Sequence, residues 1–220
     1  MSNQIKSRKR VVERGEVFTN EREVKAMLDL VKNESERIES RFLEPACGNG
    51  NFIAEVLRRK LSVVKNRYSR NIFEYEKYAF VAIASIYGVD IMPDNVEEAK
   101  RRLFEILKRE YCSLFKINGT NDFLDSIQYV LNRNILCGDA LTMLQPDGNP
   151  IIFSEWSIVL NDKVKRRDFR FDELLEGNTN QISLFQAAAG WEYDDEVEAF
   201  IPSAINEYPL MPFKLVKQIG

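Results

Sequence analysis

The chain contains no histidine. That absence removes imidazole acid–base catalysis, Ser-His triads and His-ligated metal sites together. Cysteine is scarce: Cys47, Cys112 and Cys137 are widely spaced and odd in number, which argues against a disulfide framework. No apolar run approaches the ~18–20 residues that a bilayer span requires. The basic start, Lys6, Arg8, Lys9 and Arg10, is not followed by an apolar signal core, so a cytoplasmic protein is expected. Neither sign of charge dominates. The 31 basic and 34 acidic residues leave a formal charge of −3, whereas a protein that wraps DNA unaided is usually basic overall. Any nucleic-acid contact has to be local or shared with a partner.

What is present suffices for a core. The 220 residues are 45% hydrophobic and 11% aromatic, which fits one core with an appendage and excludes disorder of the whole chain. Residues 1–14 are polar, basic and expected to be loosely ordered. Val24, Met27, Leu28 and Val31 recur at helical spacing behind an N-cap at Thr19 or Asn20. Arg41-Phe42-Leu43-Glu44-Pro45 reads as a strand, and a helix follows from about Phe52 to Val64. A second helix near 75–86 leads into the strand Tyr87-Gly88-Val89-Asp90-Ile91, and residues 95–111 are helical. A shorter helix near 123–131 precedes a third strand and loop at Asn134-Ile135-Leu136-Cys137-Gly138-Asp139-Ala140. Ile151-Ile152-Phe153-Ser154-Glu155-Trp156 reads as a fourth strand. Strands alternating with helices predict an α/β, doubly wound, mostly parallel sheet over residues 15–176. From Gly177 the chain turns linker-like, and 177–220 is expected to be an irregular tail.

Three strand ends carry chemistry. The first is Glu44-Pro45-Ala46-Cys47-Gly48-Asn49-Gly50-Asn51-Phe52, a strand, an acid and a G-x-G entering a helix. Glycines there let backbone approach a ligand. The third glycine of the dinucleotide pattern is missing, and the leading acid would repel a pyrophosphate, so a cationic ligand without phosphate suits the loop better. S-adenosylmethionine, with its ammonium and sulfonium, is such a ligand. The second is Asp90, whose carboxylate can accept both ribose hydroxyls of an adenosine. The third is Gly138-Asp139, where an acid can meet an adenine amino group. Each alone is an ordinary turn; ligands bind beyond the carboxyl ends of parallel strands, so the three should converge.

Gly15-Glu16-Val17-Phe18-Thr19, the helix after it and the Glu44-to-Phe52 loop together resemble the opening motifs of adenine-specific DNA methyltransferases of restriction–modification systems. The resemblance spans roughly residues 11–141. It implies the class I S-adenosylmethionine-dependent methyltransferase fold and places Phe18 and Thr19 at the methionine end of the cofactor. It also implies that Glu44, Pro45, Ala46, Cys47, Gly48, Gly50 and Phe52 form the cofactor loop, with Asn49 in place of the usual Ser or Thr. Asp90 would take the ribose, Ile91 would pack on the adenine ring, and Asp139 with Ala140 would face the adenine edge. The implied reaction is methyl transfer to an adenine amino group in DNA, with no metal.

The family's Asn-Pro-Pro-Tyr motif, which orients the flipped base, is missing. Asn149-Pro150 reads as a plain turn after Asp147-Gly148, and Trp156 as core or interface. The fold therefore reads as shortened in its C-terminal half, with a partner subunit supplying target recognition. The alternative is a non-catalytic cofactor-binding scaffold or sensor subunit. Lys165, Arg166 and Arg167, inside the cation run Lys163–Arg170, are candidate DNA contacts or equally a solvated face. Gln181-Ile182-Ser183-Leu184-Phe185 resembles the short peptide that docks on a sliding clamp, though Leu184 and Phe185 fit a core equally well. Cys47 and Cys137 fit packing better than nucleophilic duty.

Overall fold

A computed structural model describes residues 6–14, 16–176, 191–194 and 199–219. The clamp-like peptide 181–185 lies outside the described residues. The order of elements begins with α1 (Arg8–Arg14), α2 (Glu21–Leu30) and α3 (Lys32–Ser35), then β1 (Phe42–Glu44), α4 (Asn51–Tyr68) and α5 (Ile72–Ala84). It continues through β2 (Ile86–Asp90), α6 (Pro93–Phe115), α7 (Asp122–Asn134) and β3 (Ile135–Cys137). Beyond these come β4 (Ile152–Val159), β5 (Lys163–Arg170) and α8 (Phe171–Glu176). The last elements are β6 (Trp191–Asp194), β7 (Ala199–Pro202), β8 (Asn206–Glu207), β9 (Met211–Pro212) and a 3-10 helix (Phe213–Ile219). Among the described residues, no helix is long and apolar enough to cross a membrane.

Strands β1, β2 and β3 form a parallel sheet in that order, with Leu43 opposite Tyr87 and Val89 opposite Leu136. Helices α4 to α7 fill the two crossovers, as parallel pairing requires. The alternation of side chains along β2 sorts its two faces. Ile86 joins the helical core around Leu57, Phe80, Leu103 and Ile127, all fully buried. Gly88 is on that same face because a Cβ there would lie 3.1 Å from the Cys47 sulfur. Val89 turns to the opposite face, where it packs with Ile151, Phe153 and Phe171.

That opposite face corrects the fourth-strand expectation. β4 does not extend the parallel sheet; it pairs antiparallel with β5 over eight residues each and lies across the first sheet. Tyr87 on β2 meets Phe153 on β4 with ring centroids 5.4 Å apart, and its hydroxyl donates to the Ser154 carbonyl at 3.2 Å. The described residues are thus α/β, with a parallel three-stranded sheet, a separate antiparallel sheet built on β4 and β5, and the two-stranded antiparallel pair β6–β7.

The two ends of the chain also differ from expectation. The basic start is not loose throughout: α1 is helical, and Lys6 and Arg10 pair with Asp94 at the head of α6, at 3.0 and 2.5 Å. The tail is not simply irregular. β8 and β9 add to the free edge of β5, and Phe213 and Val216 are fully buried against the helical core. Trp156 is core, its indole N–H donating to the Asn134 side-chain oxygen at 3.1 Å.

Candidate cofactor site

The chain leaves β1 through Glu44 and turns sharply at Gly48 and Gly50, with φ of 53° and 84°. These left-handed conformations suit glycine, and close packing adds a second reason. A Cβ on Gly48 would touch the Phe18 ring at 3.1 Å, and one on Gly50 would meet Ala99 of α6 at 3.0 Å. Phe18 therefore lies directly over the loop. Residues 16–19 cross above the strand ends as a strap, fixed where the Asn51 amide donates to the Thr19 carbonyl at 3.0 Å.

Between strap and strand ends lies a cavity of about 310 Å³, at the lower end of the size range of ligand pockets. Its wall combines the strap and Met27, the loop from Glu44 to Phe52, and Asp90 to Asn95 beyond β2. Phe18, Thr19, Glu44, Ala46, Cys47, Gly48, Phe52, Asp90 and Ile91 all line it. Pro45 and Gly50 shape the loop without lining the cavity.

Asp139 and Ala140 are the exceptions. Asp139 is held in its own turn, its carboxylate accepting the Leu141 N–H at 2.8 Å and its N–H bonded to the Leu144 carbonyl at 2.9 Å. Ala140 packs into the apolar cluster beside Val89. Two strand ends converge on the cavity, and the third reaches only the backbone next to it, where the Gly138 N–H donates to the Asp90 carbonyl at 3.0 Å. The reason is the loop at residues 139–150, which folds back on itself through bridges from Leu144 to Asp139 and Pro150.

Among the described residues, the wall carries three carboxylates, Glu16, Glu44 and Asp90, and no lysine or arginine. Burial pushes the Glu44 carboxyl above its ordinary pKa, against a hydrogen bond from the Ala46 backbone. Burial also pushes the Cys47 thiol far up, helped by Asp90 and Glu44, so it packs rather than attacks. Asp90 is heavily engaged: one oxygen accepts the Gly48 N–H at 2.9 Å, and the other accepts Met92 N–H at 2.9 Å and the Asn95 amide at 3.1 Å.

Sequence reasoning missed Glu16 and Asn95. Asn95, almost wholly buried, donates to Glu16 at 2.6 Å as well as to Asp90. Glu16 lies in the strap beside Phe18, and its second oxygen is buried with no partner. Asn49 has the same deficit: its amide nitrogen donates to Glu98 at 3.2 Å, which fixes the amide's orientation, and its oxygen is left unbonded. The one signal in the sequence was an acid two residues before the motif aromatic Phe18.

The candidate DNA contacts divide. β5 alternates, and Arg166 points inward with 1% exposure, paired with Asp168 at 2.7 Å and stacked 4.0 Å from the Tyr208 ring centroid. A phosphate cannot reach it, which corrects that expectation. Lys165 and Arg167 stay at the surface, paired with Glu207 and Glu155. Comparison of the chain with protein-family models, curated proteins and solved structures finds no match in any of the three.

Proposed function

We propose that the chain binds S-adenosylmethionine in the cavity under the strap. On this reading it is an adenine-specific DNA methyltransferase, or the modification subunit of one, in a restriction–modification or defence system. The fold would be that of class I methyltransferases, with β1 to β3 as its first half. The carrying observation is a cavity walled by three carboxylates with, among the described residues, no lysine or arginine in the wall, beside a G-x-G turn at the ends of parallel strands; Arg10 touches Glu16 from outside it. Such a wall repels phosphate and welcomes a ligand rich in donors and positive charge.

The residues present fit that ligand. Among the described residues Glu44 has no counter-cation, which an ammonium or sulfonium would supply. Phe18, Phe52 and Ile91 offer apolar surface for a ring and a methylene chain, and Gly48 lets the chain pass close to the backbone. When bound, the sulfonium supplies an already activated methyl group. The protein's work is then to orient and to exclude water.

A second reading has its own support. The antiparallel pair β4–β5 covers the sheet instead of extending it, and Asn149 lies in a tight turn bonded to Asp147. On that reading the chain is a non-catalytic scaffold or sensor that needs a partner for catalysis and DNA recognition. Calorimetry with S-adenosylmethionine and its demethylated product tests the shared claim, with saturable binding expected. No heat at high-micromolar ligand rejects both readings. Transfer of labelled methyl to adenine-containing DNA by the pure chain then selects the enzyme; transfer only with a partner subunit selects the scaffold.

A further inference from the structure

We infer that Glu16, rather than Asp90 alone, is the carboxylate that receives a ligand hydroxyl in this cavity, and that a vicinal diol is gripped by these two acids together. The inference rests on the proposed S-adenosyl reading and assigns its ribose. Asp90 stands where a ribose-binding acid is expected, yet three donors from the protein already occupy its oxygens. Two carboxylate oxygens offer about four acceptor positions, so Asp90 retains one, on the oxygen facing Gly48. A diol presents two hydroxyls.

The missing acceptor is next door. Asn95 donates through one amide nitrogen to both acids, at 2.6 Å to Glu16 and 3.1 Å to Asp90, which holds the carboxylates side by side. Arg10 reaches the same Glu16 oxygen at 3.4 Å. The other Glu16 oxygen has no partner, although the side chain is only 8% exposed and lines the cavity. A buried carboxylate oxygen left without a donor costs stability. That oxygen is closed off from the cavity as the side chain stands, so a turn of the Glu16 carboxyl is what brings it to a ligand O–H, which supplies the donor. Asp90 then does two things: its remaining acceptor position takes the second hydroxyl, and its other bonds hold the Gly48 turn and the Asn95 amide in place.

The test uses the full chain and calorimetry with S-adenosylhomocysteine and its 2′-deoxy and 3′-deoxy ribose analogues. The unmodified protein should bind at least one deoxy analogue about ten- to a hundredfold more weakly than the parent, the span of one charge-assisted hydrogen bond. Glu16→Ala should weaken the parent by a similar factor and remove most of the discrimination. If Glu16→Ala does not fold, Glu16→Gln keeps the shape and an acceptor for Asn95, and the same loss is expected. A folded Glu16 variant with unchanged affinity and discrimination overturns the inference. Equal binding of all three compounds by the unmodified chain also overturns it and leaves the S-adenosyl reading standing. No binding of the parent compound removes both.

Discussion

Lys60 is the clearest case in which a single residue sets a measurable property of the fold. It is fully buried on α4, its ammonium donating to the Ser40 carbonyl and the Ser85 hydroxyl, 5.3 Å from the Phe42 ring centroid. Burial lowers its pKa to about 7. Unfolded, the same group titrates near 10.4. Between these values the unfolded chain binds the extra proton, so stability rises with pH across the window, and below it the cost of the buried charge is felt in full. Lys60→Met should remove this slope. Urea unfolding at pH 7.5 and 9.5 should show the native protein gaining relative to the variant, by at most about 1.4 kcal/mol per pH unit. Cys47, whose thiol is pushed up, contributes the opposite sign, stable below its unfolded pKa and weaker above it; both proteins carry it, so it cancels. A pH-independent difference would show that Lys60 stays charged. The residue was legible by place: it continues the apolar face of Ile53, Val56, Leu57 and Leu61. Its type hid it. Glu16 was hidden differently, because an exposed acid and a buried one with an unbonded oxygen look alike in sequence.

At the scale of elements, the α4–α6 contact depends on Gly50. An alanine there meets two separate penalties, a left-handed φ of 84° and a Cβ 3.0 Å from that of Ala99. Gly119 has φ of 87° with nothing within 4 Å, so it carries the first penalty alone. Gly50→Ala should cost about 1–3 kcal/mol more than Gly119→Ala, read as a thermal midpoint lower by on the order of 5 °C. Equal midpoints would mean that the helices part at no cost. The helices themselves were legible, since their apolar faces repeat at 3.6 residues and Asn20 forms a capping box with Glu23. The direction of β4 was not. A parallel return from β3 needs a crossover of a dozen or more residues, usually a helix, and residues 138–151 hold turns with no helical spacing. That signal was present and pointed to antiparallel pairing. In β5 the inward positions Val164, Arg166 and Asp168 do alternate, but an inward ion pair reads as a surface charge run until its partners are known.

At the scale of the whole molecule, a parallel sheet is apolar on both faces and is found with both of them covered. The helices cover one, the β4–β5 pair covers the other, and the returning chain end seals the joint between them. Phe213 carries that seal: fully buried, its ring centroid lies 5.8 Å from that of Phe73 and 5.7 Å from that of Phe80, both on α5. Its N–H donates to the Asp162 carbonyl in the β4–β5 turn at 2.9 Å. If the end of the chain belongs to one cooperative unit, Phe213→Ala should lower stability by about 3–5 kcal/mol, the usual cost of a buried Phe cavity. Denaturation should then remain a single transition with an earlier midpoint. An appendage would behave otherwise, leaving the main transition in place or melting in a separate early step. The cavity draws its wall from residues 16–95 only, so the folded variant should keep its affinity for S-adenosylhomocysteine. Calorimetric unfolding beside ligand titration separates these outcomes, because weakened binding in a folded Phe213→Ala protein would mean that the seal reaches the site.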